Sequence, residues 1–266
     1  MLERVADSSG VVYYRSPLLA DAGVRHAFST RLGGVSDGIF NSMNLGNPLA
    51  TSHRDDPSHI EENYQRLQSA VGLGDQKRCW VHQVHGAEVV TIRPKQEFVS
   101  GKDQADAIVS DDPGRVLSVR IADCGPILLA SEDGRVVAAV HAGWRGVVAG
   151  VLVETIKKMR QLTRANLLAA IGPCIGGDAM EVGPEVLTEF ERAFAQDAPI
   201  VHVSNGKGRV DIRMGLMKQL ANAGIAPGQI DTTDRCTHRD ADEFFSHRRE
   251  RGITGRMAAL IAAGRE

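Results

Sequence analysis

Apolar residues recur along this chain at two spacings. Over 116–122 they alternate, with Leu117, Val119 and Ile121 on one face of an extended segment and Ser118, Arg120 and Ala122 on the other. The pattern predicts a strand there, a second over 126–131 and a third over 135–141, the last rich in Val and Ala. Glu132-Asp133-Gly134 between the last two is a turn signal, because Asp-Gly supplies the positive φ of a tight hairpin. After His141 the period lengthens. Val147, Val148, Val151, Leu152, Thr155 and Met159 recur at helical spacing and predict a helix from about Gly146.

The flanks alternate in the same way. A loop over 47–58, with Pro48 and Pro57, precedes a helix over 59–71 that has Ser58 as its N-cap and Ile60, Leu67 and Val71 inward. A short strand is predicted over 167–171 and a helix over 184–194, with Pro184 in its first turn and a stripe of Val186, Leu187, Phe190 and Phe194. Another helix over 211–223 takes Asp211 as N-cap and turns Ile212, Leu216 and Leu220 inward; a last helical piece is expected over 255–263. Antiparallel hairpins mixed with helices imply an α+β fold, with helices outside a layered sheet core. No repeat and no Pro/Gly/Ser linker divides the chain, so one domain over 1–266 is expected.

Composition changes this picture little. At 266 residues a substantial core is available without disulfides or metal to hold it. The net charge of −2, from 31 basic and 33 acidic residues, gives no footprint for duplex nucleic acid. Basic residues cluster in His247-Arg248-Arg249-Glu250-Arg251 and at Arg256, a run that reads equally as a solvated face or an anion site. The four cysteines, Cys79, Cys124, Cys174 and Cys236, form no CxxC pair and fit a reducing compartment. No apolar run approaches the about 20 residues of a membrane span, and the first residues lack the pattern of a signal peptide. A cytoplasmic protein, monomeric or a small homo-oligomer, is expected.

Candidate chemistry sits at strand ends. His85 closes Trp80-Val81-His82-Gln83-Val84-His85-Gly86, Cys124 follows the 116–122 strand, and His141 ends the third strand before Ala142-Gly143-Trp144-Arg145-Gly146. Three such ligands with a fourth position open describe a catalytic zinc site. Spacing alone leaves the alternative of two hydrogen-bonded histidines and a buried thiol. If 80–85 is extended, His82 and His85 face opposite ways, and His85, beside Gly86, has the freer approach. The same donor set fits a blue-copper centre. A full multicopper oxidase needs several further histidine ligands, whereas this chain has nine histidines in all, some in apparent loops such as His53 and His59. Asp123 reads as a general acid/base, as a partner orienting a ligand histidine, or as a plain turn residue. Arg145 lies at a helix start, where free N–H groups favour an anion.

Longer stretches carry a family resemblance. HAFSTRLGGVSDGIFNSMNLG (26–46), WVHQVHG (80–86), ADAIVS (105–110), ADCGPILL (122–129) and AAVHAGWRG (138–146) come first. IGPCIG (171–176), MEVGPEV (180–186), CTHR (236–239), FFSHRR (244–249) and TGR (254–256) follow in order. Over about 24–264 the chain closely resembles the laccase-domain family, also described as multicopper polyphenol oxidases, purine nucleoside phosphorylases and peptidoglycan editing factors. The resemblance implies a four-layer α/β/β/α arrangement and zinc, or alternatively copper, held by His85, Cys124 and His141. It also implies phosphorolysis of adenosine, guanosine or inosine, cleavage of methylthioadenosine, and deamination of adenosine. Its substrates are then purine nucleosides and phosphate, with no nucleic acid or membrane partner. Arg31 and Asn44 fall in motifs that line the family's pocket. Arg31, Arg145 or Arg248 is expected to hold phosphate, Arg31 first because its Gly-rich context permits close approach.

Two positions depart from the family pattern: Met180 stands where Tyr is usual, and His247 where an aromatic is frequent. Competing functions are an editing hydrolase on mis-aminoacylated peptidoglycan precursors with Cys124 as nucleophile, a copper polyphenol oxidase, and a non-catalytic metal-binding module.

Overall fold

A computed structural model describes residues 1–48, 51–74 and 76–264. In chain order the first elements are β1 (Glu3–Ala6), β2 (Val12–Arg15), α1 (Pro17–Asp21), β3 (Arg25–Ser29), α2 (Pro57–Ala70), β4 (Lys77–Trp80) and β5 (Val89–Ile92). The middle comprises β6 (Ala107–Ser110), β7 (Arg115–Ile121), β8 (Gly125–Ser131), β9 (Val137–Ala142), α3 (Trp144–Ala149), α4 (Val151–Leu162) and β10 (Leu167–Ile171). The remainder is β11 (Glu181–Val182), α5 (Pro184–Phe194), β12 (Ile200–His202), β13 (Gly208–Val210), α6 (Ile212–Asn222), β14 (Ile230–Asp231) and β15 (Met257–Ala262).

The strands form two large sheets, ordered β1-β2-β3-β15-β7-β4 and β14-β10-β8-β9-β6-β5, and a small one ordered β11-β13-β12. Both large sheets are mixed but largely antiparallel; β4 joins β7 in parallel, and β5 and β14 join β6 and β10 in parallel. Three apolar layers follow from strand alternation. Tyr64 and Leu67 of α2 pack on Val116, Ala258 and Leu260 of the first sheet. Leu117, Val119, Ala259 and Ile261 meet Ile108, Leu128, Ala130 and Ala139 between the two sheets. Val109, Ile127, Leu129 and Val140 pack beneath Val147, Leu152, Leu187 and Leu216 of the helices. The order is therefore α/β/β/α, as the resemblance implied.

Several elements differ from expectation. The segment expected to end the chain as a helix is β15, paired antiparallel with both β3 and β7 at the centre of the first sheet. It is covered on both faces, so its sequence MAALIA shows no polar alternation, and Ala, Leu and Met lend it a helical look. The helix expected from about Gly146 starts at Trp144 and breaks at Gly150, whose φ of 79° divides it into α3 and α4. Asp56 rather than Ser58 caps α2, accepting from the Ser58 amide at 2.8 Å. The expected loop over 47–58 falls partly outside the described residues; α2 begins within it.

Two connections position the site. The chain leaves β4 in the first sheet and enters β5 in the second, and it crosses the same way from β7 through Ala122-Asp123-Cys124 to β8. Val137 and Ala139 of β9 point between the sheets, and alternation places His141 on that same inward face.

Candidate metal centre

The site is built on a buried carboxylate. Register pairs Ala107 with Val140, so Asp106 lies opposite His141, and the His141 amide donates to the Asp106 carbonyl at 2.8 Å. Their side chains meet as well: His141 Nδ1 is 2.7 Å from Asp106 Oδ1. The Asp106 carboxylate also accepts from three successive amides, Val84 at 3.2 Å, His85 at 3.0 Å and Gly86 at 2.6 Å. Asp106 is 0% exposed and so needs every one of these partners. Burial pushes its carboxyl up, but His141 and the amides outweigh that and hold it below the usual carboxylate range.

Wrapping three amides around one anion bends the backbone. His85 has φ 61°, the left-handed region that costs a non-glycine residue roughly 1–2 kcal/mol. The charge-assisted hydrogen bonds to Asp106 offset that cost. His85 is therefore not the end of an extended run. His82 bridges to Gln104, whereas His85 turns out of the strand direction and is exposed.

These constraints bring His85, Cys124 and His141 together, with one ligand atom from each lying within 4.8 Å of the others. The two imidazoles meet edge to face, 4.9 Å between centroids. Gly143 leaves room for the group: a Cβ there would lie 2.8 Å from His85 Cδ2 and 3.1 Å from Cys124 Sγ. Burial pushes the Cys124 thiol up, yet His141 and His85 reverse this and bring it to about 6. Burial likewise lowers His141, and the Cys124 sulfur and Asp106 carboxylate raise it to about 9. Both shifts favour a deprotonated sulfur beside His141, the form in which Cys124 would ligate a cation. With Nδ1 turned to Asp106, His141 offers Nε2 to that cation. Two imidazoles, a thiolate and a supporting carboxylate fit zinc, and the same donors fit copper. Among the described residues this is the one such group placed to hold a metal ion.

The other expected residues are placed differently. Asp123, with φ 84°, accepts from Thr237 Oγ1 at 2.6 Å, Ser246 Oγ at 3.0 Å and the Arg248 amide at 2.7 Å. It thus ties the 237–248 segment to the site, and the orienting of a ligand histidine falls to Asp106. Asp106 was missed although ADAIVS was in view; the signal was a lone acid entering an apolar strand. Asn44 is buried, donating to Asp55 at 2.8 Å and accepting from the Arg256 amide at 2.8 Å. Arg31 donates to the carbonyls of Asn41 and Ala241 and lies 4.5 Å over the Phe245 ring. Arg145 is exposed and stacks on Trp144, and Arg248 donates to the Glu181 carbonyl at 2.8 Å. Met180 is buried under the helices, whereas His247 is exposed within electrostatic reach of His85 and Arg256.

Residues 25–264 match the family described as "Multi-copper polyphenol oxidoreductase laccase". The purine nucleoside phosphorylase YfiH of Escherichia coli K12 is 41% identical over 90% of this chain and 93% of its own length. A purine nucleoside phosphorylase of Deinococcus radiodurans is 36% identical, covering 96% of this chain and 94% of its own. Among solved structures, Neisseria meningitidis protein NMB0706 superposes with a TM-score of 0.82 at 34% identity, over 96% of this chain and 100% of that one. YlmD from Geobacillus stearothermophilus gives 0.85 at 29% identity, over 98% and 99%. No helix among the described residues is long and apolar enough to cross a membrane.

Proposed function

The chain belongs to the multi-copper polyphenol oxidoreductase laccase family, and from that premise we propose that it is a zinc-dependent purine nucleoside phosphorylase that also deaminates adenosine. Its substrates are adenosine, guanosine, inosine and methylthioadenosine, with phosphate as co-substrate. The observation that carries this reading is that relatives sharing 36–42% identity over nine-tenths of the chain or more are named purine nucleoside phosphorylases.

The site supports it chemically. His85, Cys124 and His141 hold the zinc, and Asp106 fixes the His141 ring and the turn that carries His85. Zinc bound there supplies Lewis-acid catalysis. Asp123 anchors the 237–248 segment through Thr237, Ser246 and the Arg248 amide. Phosphorolysis requires an anion placed at C1′ of the ribose while the base departs; deamination requires water at the purine C6.

Metal-replete protein incubated with adenosine, with and without phosphate, separates the two activities. Adenine and ribose 1-phosphate are expected only with phosphate, and inosine in both cases. Product levels no higher than a heat-inactivated control would sink the reading. Elemental analysis of the same sample is expected to find zinc, and copper in its place would favour the oxidase.

A further inference from the structure

Arg120 and Arg256 stand side by side on the first sheet. Register pairs Arg120 with Ala258 and Ile121 with Met257, so Arg256, immediately before β15, falls opposite Ala122 and diagonal to Arg120 on the same face. Gly46 touches both: a Cβ there would lie 2.9 Å from Arg120 Cδ and 3.6 Å from Arg256 Cβ. Arg256 lies within electrostatic reach of Arg120, Asp123 and Cys124.

Two guanidinium groups this close repel unless an anion lies between them. Among the described residues neither is ion-paired to a carboxylate. Arg120 has the Trp80 ring at 5.1 Å but no hydrogen-bond partner for its guanidinium, and none of its nitrogens is a buried orphan. Its donors are therefore not sealed from solvent. Arg256 gives one nitrogen to the carbonyls of Thr254 and Gly255, at 2.9 and 3.0 Å. Asp123, the nearby acid, has its carboxylate engaged by Thr237, Ser246 and the Arg248 amide. Arg31, by contrast, has all three guanidinium nitrogens committed to the Asn41 and Ala241 carbonyls, and Arg145 stacks on its neighbour.

We propose that Arg120 and Arg256 together seat inorganic phosphate beside the metal centre. The planar fork of each arginine can take two phosphate oxygens, so two forks engage more of the anion than one arginine does, and a lysine offers only a point charge. The assignment to a co-substrate rests on the phosphorylase reading above; the anion site itself does not.

The test measures binding of inorganic phosphate to zinc-loaded protein by calorimetry, in the parent and in Arg120→Met, Arg256→Met and Arg120→Lys. Each Met variant is expected to weaken phosphate binding by about ten- to a hundredfold, with zinc content and the KM for adenosine unchanged. Arg120→Lys, which keeps the charge, is expected to fall between. Circular dichroism identifies any variant that fails to fold, and Arg120→Met removes no protein hydrogen bond. Parental phosphate affinity in both Met variants would overturn the proposal. So would loss of binding in Arg31→Gln alone, absence of binding in the parent, or binding of adenosine 5′-monophosphate but not of free phosphate. Phosphate binding through both arginines without ribose 1-phosphate formation would retire phosphorolysis and keep the site. Phosphorolysis with both Met variants binding normally would do the reverse.

Discussion

Asp106 holds together more of the site than any of the three candidate ligands does. One carboxylate fixes the tautomer of His141 and holds the three amides that turn His85 toward it. Asp106→Asn keeps the size but replaces one accepting oxygen with a donor, which must then face an N–H group. Zinc affinity is expected to fall by about ten- to a hundredfold, measured by competition with a chromophoric chelator. Affinity equal to the parent's would show that the turn holds itself. This residue also marks the limit of reading the chain alone. His85, Cys124 and His141 were legible as chemistry-bearing residues at strand ends. Their support was not, because a pairing between residues 35 positions apart depends on register that β6 and β9 acquire only in the sheet.

Among the elements, those with one covered face were readable. Val186, Leu187 and Phe190 line the buried side of α5, and its bounds match the sequence pattern. β15 was not readable, since an inward residue on either face is apolar and periodicity disappears. Its place between β3 and β7 makes it the strand on which the first sheet depends. Leu260, 0% exposed against α2, is therefore expected to cost about 2–5 kcal/mol when changed to Ala. Met214, exposed on α6, is expected to cost within about 0.5 kcal/mol. Urea unfolding of both variants checks the contrast, and equal losses would contradict the central placement.

For the whole molecule, acidity acts through a histidine far in sequence from the ligands. His26 is 3% exposed; its Nε2 accepts from the Ser16 amide at 2.8 Å while Nδ1 faces the Val24 carbonyl at 2.9 Å, an arrangement only the neutral ring satisfies. Burial, with Arg15 nearby, lowers it from 6.5 to about 4. The unfolded chain thus binds the extra proton first, so its contribution is complete above about pH 6.5 and is lost as pH falls toward 4, about 3 kcal/mol in all. Unfolding free energies at pH 7 and 5 are expected to differ less in His26→Gln than in the parent. The two crossings that deliver His85 and Cys124 have a kinetic consequence. Each runs from one large sheet to the other. A cation joining them would act as a clasp across the sandwich, closed only once both sheets have met. Such a clasp resists opening without hastening assembly. Zinc-loaded protein is expected to unfold more slowly than chelator-treated protein in stopped-flow urea jumps, while the two refold at the same rate.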